Sequence, residues 1–376
     1  MSEDSTIDRP QPNPGVLDIA PYVGGESSLG SGQRVIKLSS NEGALGPSEK
    51  AVEAFKAAAP TLHRYPDGHA TALREAIAER HGLDASRIVC GAGSDEIISL
   101  LCQAYSGPGT EVVHSAHGFL MYALSSKAAG ATPVSVPEQN LVADIDGFLK
   151  AVNENTRLVF IANPNNPTGT YLNAQQIQQL HAGLPKDVLL VIDAAYAEFA
   201  GEDGYTDGTD LVSAHQNVIM TRTFSKIYGL GGLRLGWCYG PDHVVDVLNR
   251  VRGPFNVSSA AIAAGVAAVN DTDFIERARR ENVENRDWTT AQLRDLGIEV
   301  TDSLGNFILM HMPDADGAEV GTAAADCDTY LKSQGLIIRR VGGYGLADRL
   351  RVSIGNREDM EAFIAAMQRY VGGQRS

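Results

Sequence analysis

The sequence predicts an α/β protein whose larger part is built on a mostly parallel β-sheet and whose smaller C-terminal part is α+β. Short apolar strands alternate with helical segments between residues 41 and 270, and this alternation is typical of a parallel sheet covered by helices. In residues 271–376 strands also alternate with helices, but they are few. A chain of 376 residues with 43% hydrophobic residues is long enough for two domains.

The N-terminal residues 1–40 are rich in proline and glycine, and they include Pro10, Pro12, Pro14 and Pro21. Proline fixes the backbone φ angle and lacks an N–H donor, so this composition favours an extended arm over a helix. Arms of this kind often wrap a partner subunit. We therefore assign residues 1–40 to an N-terminal arm that also supplies part of the small domain.

Residues 41–270 form the predicted large domain. Apolar periodicity predicts helices at 48–59, 71–80, 94–105 and 260–269, and strands at 87–90, 110–114, 132–136, 156–161, 188–193 and 218–222. Helical segments are expected between most of the later strands.

Residues 271–376 form the predicted small domain, with its boundary near residue 270. The patterns predict helices at 273–296, 323–334 and 358–370, and strands at 307–312, 337–341 and 350–354. We find no internal repeat.

The charge of the chain argues against nucleic-acid and membrane partners. The formal net charge is −15, and an acidic protein is repelled by phosphodiester backbones and anionic lipid surfaces unless it carries a basic patch. The basic cluster Arg277, Arg279 and Arg280 alternates with Glu276 and Glu281, which indicates a solvated helix face. No apolar run approaches the roughly 20 residues that span a bilayer.

The four cysteines show neither disulfide-scaffold spacing nor metal-ligand spacing, so we expect reduced thiols and no metal site. The N-terminal residues lack the basic and apolar regions of a secretory signal. A cytoplasmic enzyme is the expectation.

Three strand ends carry candidate chemistry. The first is Lys226, which follows the apolar strand at 218–222 and precedes a glycine-rich turn that contains Arg234. An amine at a strand end beside hydroxyls and a guanidinium suits imine formation with a phosphorylated carbonyl compound. An ordinary surface lysine in a glycine-rich turn remains the alternative.

The second is Asp193, which ends the apolar strand at 188–193, with Tyr196 three residues later. A buried carboxylate needs a cationic partner, because an unpaired buried charge costs several kcal/mol. A protonated pyridine nitrogen is such a partner, and the ion pair turns the ring into an electron sink. The alternative is an aspartate that caps the following helix.

The third is the run at 162–169, which holds Asn166 and two X-Pro pairs directly after the strand at 156–161. Proline and glycine make this loop rigid at the carboxyl end of a strand, where open α/β sheets bind their ligands. Asn166 can donate a hydrogen bond to an anionic ring oxygen. A plain connecting loop is the alternative.

A fourth segment, residues 91–96, joins a strand to a helix and supplies a candidate phosphate site. Backbone N–H groups at a helix start bind anions without a basic side chain. Dinucleotide-binding folds place G-x-G-x-x-G in the same position, but here Glu96 replaces the third glycine, where the helix must pack closely. This argues against a nicotinamide oxidoreductase.

Together these segments resemble the fold-type I pyridoxal-phosphate aminotransferases, from roughly Ser40 to the C-terminus. That family implies a three-layer α/β/α large domain. Within the family the motifs most resemble those of the histidinol-phosphate aminotransferases, on the following segments: Leu38-Ser39-Ser40-Asn41-Glu42, Arg64-Tyr65-Pro66-Asp67-Gly68, Gly93-Ser94-Asp95-Glu96, Asn163-Pro164-Asn165-Asn166-Pro167-Thr168-Gly169 and Leu350-Arg351-Val352-Ser353-Ile354-Gly355.

The resemblance implies the cofactor site. Lys226 is implied to carry pyridoxal 5'-phosphate as a Schiff base and to move the proton between the substrate Cα and the cofactor C4′. Asp193 is implied to pair with the pyridinium nitrogen, and Tyr196 and Asn166 to bond the phenolic oxygen. The residues implied to hold the phosphate are Gly93, Ser94, Asp95, Thr223, Ser225 and Arg234.

The same resemblance implies an obligate homodimer with shared active sites, because Tyr65 would reach the phosphate bound by the neighbouring subunit. Arg351 matches the arginine that grips the anionic end of the substrate. Arg339 matches a second arginine that would complement a doubly charged phosphate, although a surface ion pair is an alternative role for it. Asn41 is also assigned to substrate binding.

Two positions depart from the family pattern. The aromatic residue that stacks on the ring usually lies in a P-T-Y segment, whereas this chain has His117-Gly118-Phe119. Phe119 can stack equally well but offers no hydroxyl. Ala194 stands where an acid is common.

The implied reaction is a ping-pong transamination. Glutamate and 2-oxoglutarate would form one couple, and L-histidinol phosphate and imidazole-acetol phosphate the other. Two alternatives keep the fold: an aminotransferase for phenylalanine or tyrosine, and a phosphothreonine decarboxylase. A non-catalytic cofactor sensor fused to a DNA reader would need a basic helix-turn-helix extension, which the sequence lacks.

Overall fold

A computed structural model of the chain describes residues 12–13, 15–21, 24, 26–30, 35–201 and 204–374. About half of the N-terminal arm, including residues 1–11, therefore lies outside the described residues. The strands, in chain order, are β1 Ile36–Lys37, β2 Ile88–Gly91, β3 Glu111–Ser115, β4 Thr132–Val136, β5 Thr156–Ala162, β6 Leu189–Asp193, β7 Val218–Thr223, β8 Gly236–Tyr239, β9 Val300–Thr301, β10 Phe307–His311, β11 Leu336–Ile337, β12 Arg339–Val341 and β13 Leu346–Ser353.

The α-helices lie between these strands and at the end of the chain. They are α1 Glu49–Ala58, α2 Thr71–His81, α3 Ser94–Tyr105, α4 Met121–Ala128, α5 Ile145–Ala151, α6 Ala174–Gly183, α7 Thr209–Ala214, α8 Asp242–Val251, α9 Ser259–Val269, α10 Thr272–Asp295, α11 Thr322–Ser333 and α12 Arg357–Gln374. Within the described part of the chain, no helix is both long and apolar enough to cross a membrane.

The central sheet has seven strands in the order β2-β8-β7-β6-β5-β3-β4. Strand β8 runs antiparallel to both of its neighbours, and the other pairings are parallel. Successive residues of a strand point to opposite faces of the sheet. In β6, Leu190 and Ile192 therefore pack in one hydrophobic core, and Leu189 and Val191 pack in the other. The α/β class with a mostly parallel sheet is confirmed.

Helices cover both faces of this sheet. Residues of α3, α4 and α8 contribute to one core, while residues of α1, α2, α5, α6, α7 and α9 contribute to the other. The three-layer arrangement expected from the resemblance is present. It places the carboxyl ends of β5, β6 and β7 side by side at one edge.

A second, antiparallel sheet lies in the C-terminal part, with the strand order β12-β13-β10-β9. A separate core joins it to α11, α12 and the end of α10, and this core includes Leu38 from the N-terminal part of the chain. Strand β1 pairs with β11 in register Ile36↔Leu336. The domain boundary near residue 270 stays a prediction; α10 contributes Ile275 to the large core and Leu293 to the C-terminal core.

The sequence prediction differs from the structure at several strands. The single strand expected at 337–341 is two strands in different sheets, because β11 pairs with β1 and β12 pairs with β13. The sequence prediction also omitted the two-residue strands β1 and β9, and it omitted β8, whose four residues follow the glycine-rich turn after Lys226. The other predicted strands and helices are present. Their ends lie within four residues of those expected.

Candidate active site

The carboxyl ends of three adjacent parallel strands open into a cavity of about 300 Å³. Open α/β sheets bind their ligands at this edge. Its lining residues come from both parts of the chain and are Ser39, Ser40, Asn41, Glu42, Ser94, Asp95, Phe119, Ala162, Pro164, Asn166, Asp193, Ala195, Tyr196, Thr223, Ser225, Lys226, Gly231, Arg234, Arg339, Tyr344 and Arg351.

Asp193, the last residue of β6, lies at the floor of this cavity and is 4% exposed. Its two carboxylate oxygens accept hydrogen bonds from the Tyr122 hydroxyl at 2.7 Å and from the Thr221 hydroxyl at 3.1 Å. Among the described residues, no Lys, Arg or His nitrogen lies within 4.0 Å of this carboxylate. Burial raises the pKa of Asp193 to about 6, although both hydroxyl donors favour the ionised form. Within the described residues, this buried carboxylate is therefore bound by hydroxyl groups and not by a cationic side chain.

Lys226 lies three residues beyond the end of β7, and its side chain is half-buried. The ammonium donates to the Ser40 carbonyl at 3.4 Å and lies 5.7 Å from the centre of the Tyr196 ring. Burial, and next the charge of Arg351, lower the pKa of Lys226 to about 8. A substantial fraction of the amine is then neutral near physiological pH, which is the form that attacks a carbonyl carbon.

Tyr196 and Asn41 form a buried pair beside the lysine. The Asn41 side-chain amide donates to the Tyr196 hydroxyl at 3.0 Å. Asn41 itself has a left-handed φ of 53° and is fixed from β13, because its backbone N–H donates to the Ser353 hydroxyl at 2.7 Å. The Ser353 hydroxyl donates in turn to the Asn41 side-chain oxygen at 3.0 Å. The pair thus joins the two parts of the chain across the cavity.

An anion site lies where β2 turns into α3. Gly93 precedes the helix with φ 93°, and a Cβ at this position would lie 2.6 Å from the Arg234 Nη2 atom. Arg234 donates to the Asp95 carboxylate at 2.9 Å and contacts the Ser225 hydroxyl at 3.5 Å. The exposed helix N–H groups, the hydroxyl and the guanidinium together suit a phosphate. We call this set of Gly93, Ser94, Thr223, Ser225 and Arg234 the phosphate cradle.

Glu96 stabilises the turn that forms this site. Its carboxylate accepts the Ala92 backbone N–H at 2.6 Å and the Asn256 side-chain amide at 2.7 Å. The acid therefore occupies the first turn of α3, where a dinucleotide-binding helix would carry its third glycine.

Two arginines face the cavity from the antiparallel sheet. Arg339 of β12 and Arg351 of β13 are direct cross-strand partners. Like charges in this position repel each other, so the pair is suited to an anion bound between them. Arg351 is 6% exposed and donates to the Asn166 side-chain oxygen and, at 2.9 Å, to the Ser39 carbonyl. Asn166 is thereby held at the cavity wall.

The structure brings nearly all of the sequence-predicted site residues together. Phe119, Asn166, Thr223 and the residues described above line one cavity, and Gly93 lies directly behind Arg234. Tyr65 does not line it. Its side chain is 83% exposed and stacks on Phe255 with ring centroids 4.7 Å apart.

Sequence reasoning missed several residues of the site. Tyr122 and Thr221 bind Asp193 directly, and Ser39, Ser40, Glu42 and Tyr344 line the cavity. Thr221 lies on β7, two residues before Thr223. Alternate residues of a strand share a face, so the sequence could have placed Thr221 on the same side as Thr223. Tyr122 lies 71 residues before Asp193, and no sequence pattern indicated that the two side chains meet.

Comparison with known proteins supports one family. The model of the family described as aminotransferase class I and II matches residues 33–367. The chain is 56% identical over 363 residues to the histidinol-phosphate aminotransferase of Paramagnetospirillum magneticum, covering 96% of this chain and 99% of that one. It is 55% identical to the corresponding protein of Rhodospirillum centenum, covering 97% of this chain and 99% of that protein.

Solved structures agree with this result. The crystal structure of histidinol-phosphate aminotransferase from Sinorhizobium meliloti in complex with pyridoxal-5'-phosphate matches with a TM-score of 0.88 and 28% identity, and it covers 98% of this chain and 99% of that one. With a family model across most of the chain and relatives more than half identical over nearly its full length, this chain belongs to the class I and II aminotransferases.

Proposed function

We propose that this protein is a pyridoxal-phosphate-dependent aminotransferase that transfers the amino group of L-histidinol phosphate to 2-oxoglutarate, a step of histidine biosynthesis. The products are imidazole-acetol phosphate and glutamate. The observation that carries the substrate proposal is the pairing of Arg339 with Arg351 in the cavity that also holds Lys226. The names of relatives at 55–56% identity support the same activity.

Pyridoxal phosphate fits the residues of this cavity at three places. The buried Asp193 carboxylate has no cationic partner among the described residues, and a protonated ring nitrogen supplies one. The phosphate cradle suits the phosphate, and a Cβ at Gly93 or Gly236 would intrude on Arg234 or on the Ser94 backbone nitrogen. Lys226 provides an amine with a lowered pKa. When bound, the cofactor withdraws electrons from the substrate Cα.

The side chains around the ring have distinct roles in this proposal. Asp193 would keep the ring nitrogen protonated, Phe119 would stack on the ring face, and Tyr196 and Asn166 would bind the ring oxygen. Lys226 would hold the cofactor covalently, and its amine would move the proton between the substrate Cα and the cofactor C4′.

The arginine pair would select the substrate. Arg351 grips a carboxylate or a phosphate in a bidentate manner, and Arg339 adds a second positive charge for the phosphate dianion. Asn41 lies beside Tyr196 and is placed to orient the substrate's reacting end. A substrate with only a carboxylate needs Arg351 alone, which is why phenylalanine or tyrosine is the competing choice.

The deciding experiment is a half-reaction. Histidinol phosphate is added to the holoenzyme without an amino acceptor, and the cofactor spectrum is followed as it converts to the amine form. We expect full conversion in one turnover and a clear preference over phenylalanine in kcat/KM. A preference for phenylalanine would reject histidinol phosphate as the substrate, and release of CO₂ from phosphothreonine would reveal a decarboxylase instead.

A matched pair of variants tests the two arginines. We expect Arg339→Gln to raise KM for histidinol phosphate about tenfold or more, since one charge-assisted contact is worth about 1.5–3 kcal/mol, and to affect glutamate less. Arg351→Gln should impair both substrates. Equal effects of Arg339→Gln on both substrates would contradict phosphate recognition by this residue.

We also propose that the protein acts as a homodimer with shared active sites. Tyr65 and Phe255 form an exposed aromatic pair, 83% and 47% exposed, respectively. Such surface is costly to leave in water and suits burial against a second copy. In that arrangement Tyr65 would reach the cofactor phosphate bound by its partner.

A further inference from the structure

Tyr122 of α4 is the buried residue whose contacts the proposed reaction has not used. It is 1% exposed, and its hydroxyl donates to the Asp193 Oδ2 atom at 2.7 Å. A buried hydroxyl bound to a carboxylate makes a charge-assisted hydrogen bond, which is roughly twice as strong as a neutral one. Tyr122 does not line the cavity, so it reaches the site only through other residues.

The ring of Tyr122 packs against three aromatic neighbours. It stacks on Phe160 of β5 with centroids 4.7 Å apart and an interplanar angle of 11°. It packs edge-to-face against Phe119 with centroids 5.8 Å apart and an angle of 87°, and the His114 ring lies tilted to it at 6.5 Å. Phe119 lines the cavity. The Tyr122 side chain thus contacts both Phe119 and Asp193, the two residues proposed to stack on the cofactor ring and to bind its nitrogen.

We propose that Tyr122 is a positioning residue that sets both the orientation and the proton affinity of Asp193 and buttresses Phe119. It acts through these two residues and does not touch the cofactor. The predicted effect of Tyr122 on cofactor binding rests on the proposed function. The effect on Asp193 itself is a property of the protein without cofactor.

The physical basis is the balance of forces on the Asp193 carboxylate. Burial disfavours its charge, and the Asp95 carboxylate of α3 adds repulsion. The donors that oppose these effects are Tyr122, Thr221 of β7 and the Ala195 backbone N–H. The other titratable groups around it are the Tyr196 and Tyr205 hydroxyls, both with a raised pKa and therefore neutral. Removing the Tyr122 donor should raise the pKa of Asp193 and weaken its grip on a cation.

The first test uses the cofactor-free protein. The Asp193 carboxyl carbon is followed by ¹³C NMR as a function of pH, and its signal is assigned with Asp193→Asn. We expect Tyr122→Phe, which keeps the ring, to raise the titration midpoint above that of the wild type. Replacement of Tyr122 by 3-fluorotyrosine makes the hydroxyl a stronger donor and should lower the midpoint. Loss of packing alone cannot produce shifts in opposite directions.

The second test measures pyridoxal phosphate binding to the same proteins. Tyr122→Phe should bind the cofactor about tenfold more weakly, because a hydrogen bond to a charged group is lost. Tyr205→Phe is the matched control, since it removes a hydroxyl that donates to the Asn163 carbonyl at 2.8 Å and not to a carboxylate. It should leave the Asp193 midpoint unchanged.

The outcomes separate the two proposals. A wild-type protein that does not bind pyridoxal phosphate would reject the proposed function, whatever the NMR result. An Asp193 midpoint that is the same in the wild type, Tyr122→Phe and the fluorotyrosine protein would overturn the role of Tyr122. Equal shifts in Tyr122→Phe and Tyr205→Phe would overturn it as well.

Discussion

At the scale of single residues, the amine of Lys226 is the group on which the proposed chemistry depends. It lies in a half-buried position with the Arg351 guanidinium as a second positive charge nearby, and both conditions disfavour the ammonium form. Its pKa of about 8 makes it a stronger nucleophile near neutral pH than an exposed lysine.

This position predicts a pH dependence of cofactor uptake. Because only the neutral amine attacks the aldehyde, the rate at which cofactor-free protein binds pyridoxal phosphate should rise with pH and level off above about pH 8. Arg351→Gln removes one of the causes of the lowered pKa, so the midpoint should move upward. Stopped-flow absorbance at a series of pH values measures both. A wild-type midpoint near the ordinary lysine value of 10.5 would contradict the prediction.

Borohydride reduction of the holoenzyme followed by peptide mapping tests the covalent role of the same residue. The label should appear on Lys226 alone. An unlabelled Lys226 would remove the basis of the proposed function.

At the scale of elements, the turn from β2 into α3 shows how backbone geometry prepares an anion site. Gly93 has φ 93°, which an L side chain rarely adopts, and its Cα lies against the Arg234 guanidinium. Glycine here therefore serves both the turn and the close approach of the arginine.

Gly93→Ala should disrupt the phosphate cradle without unfolding the protein. The added Cβ would lie 2.6 Å from Arg234 Nη2, so the flexible arginine must move away from Ser225. We expect the affinity for pyridoxal phosphate to fall about tenfold or more, as measured by titration of the cofactor-free protein. Gly109→Ala is the matched control, because Gly109 has φ 81° and no atom lies within 4 Å of its Cβ position. A similar loss in both variants would point to backbone strain instead of the cradle.

At the scale of the whole molecule, a buried ionic cluster joins β7 of the large sheet to the segment that follows β6. Arg222 of β7 is 7% exposed and binds Glu198, which follows β6, at 3.0 Å, and also Asp207. Burial raises the pKa of Glu198. Burial also favours a higher pKa for Asp207, yet the Arg222 charge and the Thr209 N–H keep that pKa below its ordinary value.

Arg222→Met should lower the free energy of unfolding by about 3–5 kcal/mol, because it leaves two buried carboxylates without a cation. Their pKa values in the folded state then rise above those of the unfolded chain, so the folded state binds more protons. The loss should consequently be smaller at acidic pH and grow as the pH rises. Urea unfolding at several pH values measures this. The exposed pair Arg250 and Asp246 gives the control, and Arg250→Met should change the free energy of unfolding far less than Arg222→Met, because solvent screens an exposed ion pair.

The proposed dimer predicts complementation between inactive subunits. Each proposed site takes Lys226 from one subunit and Tyr65 from the other. A hybrid dimer of Lys226→Ala and Tyr65→Ala subunits therefore holds one intact site, so mixing the two proteins should restore activity. Lys226→Ala mixed with Asp193→Ala should restore none, because each subunit then lacks a residue of its own site. Analytical ultracentrifugation checks that hybrids form. A monomer at working concentration would reject the dimer.

The sequence by itself determined the fold class, most elements and most members of the candidate site. Apolar periodicity predicts where strands end. Asp193 is the last residue of β6, and Lys226 follows the end of β7 by three residues. Parallel pairing of these strands brings both residues to the same edge of the sheet. The loop after β5 and the glycine-rich turn after β7 likewise pointed to Asn166 and Arg234, and the motif resemblance added Arg339 and Arg351.

Only the tertiary structure decided which groups act on one another. The hydroxyl of Tyr122 meets Asp193 from 71 residues away, and the register of β12 with β13 places Arg339 opposite Arg351. The same holds for the split of residues 336–341 between two sheets. Apolar patterns record which face of an element is buried, but pairing register and long-range hydrogen bonds depend on how distant elements pack, and no local pattern encodes that.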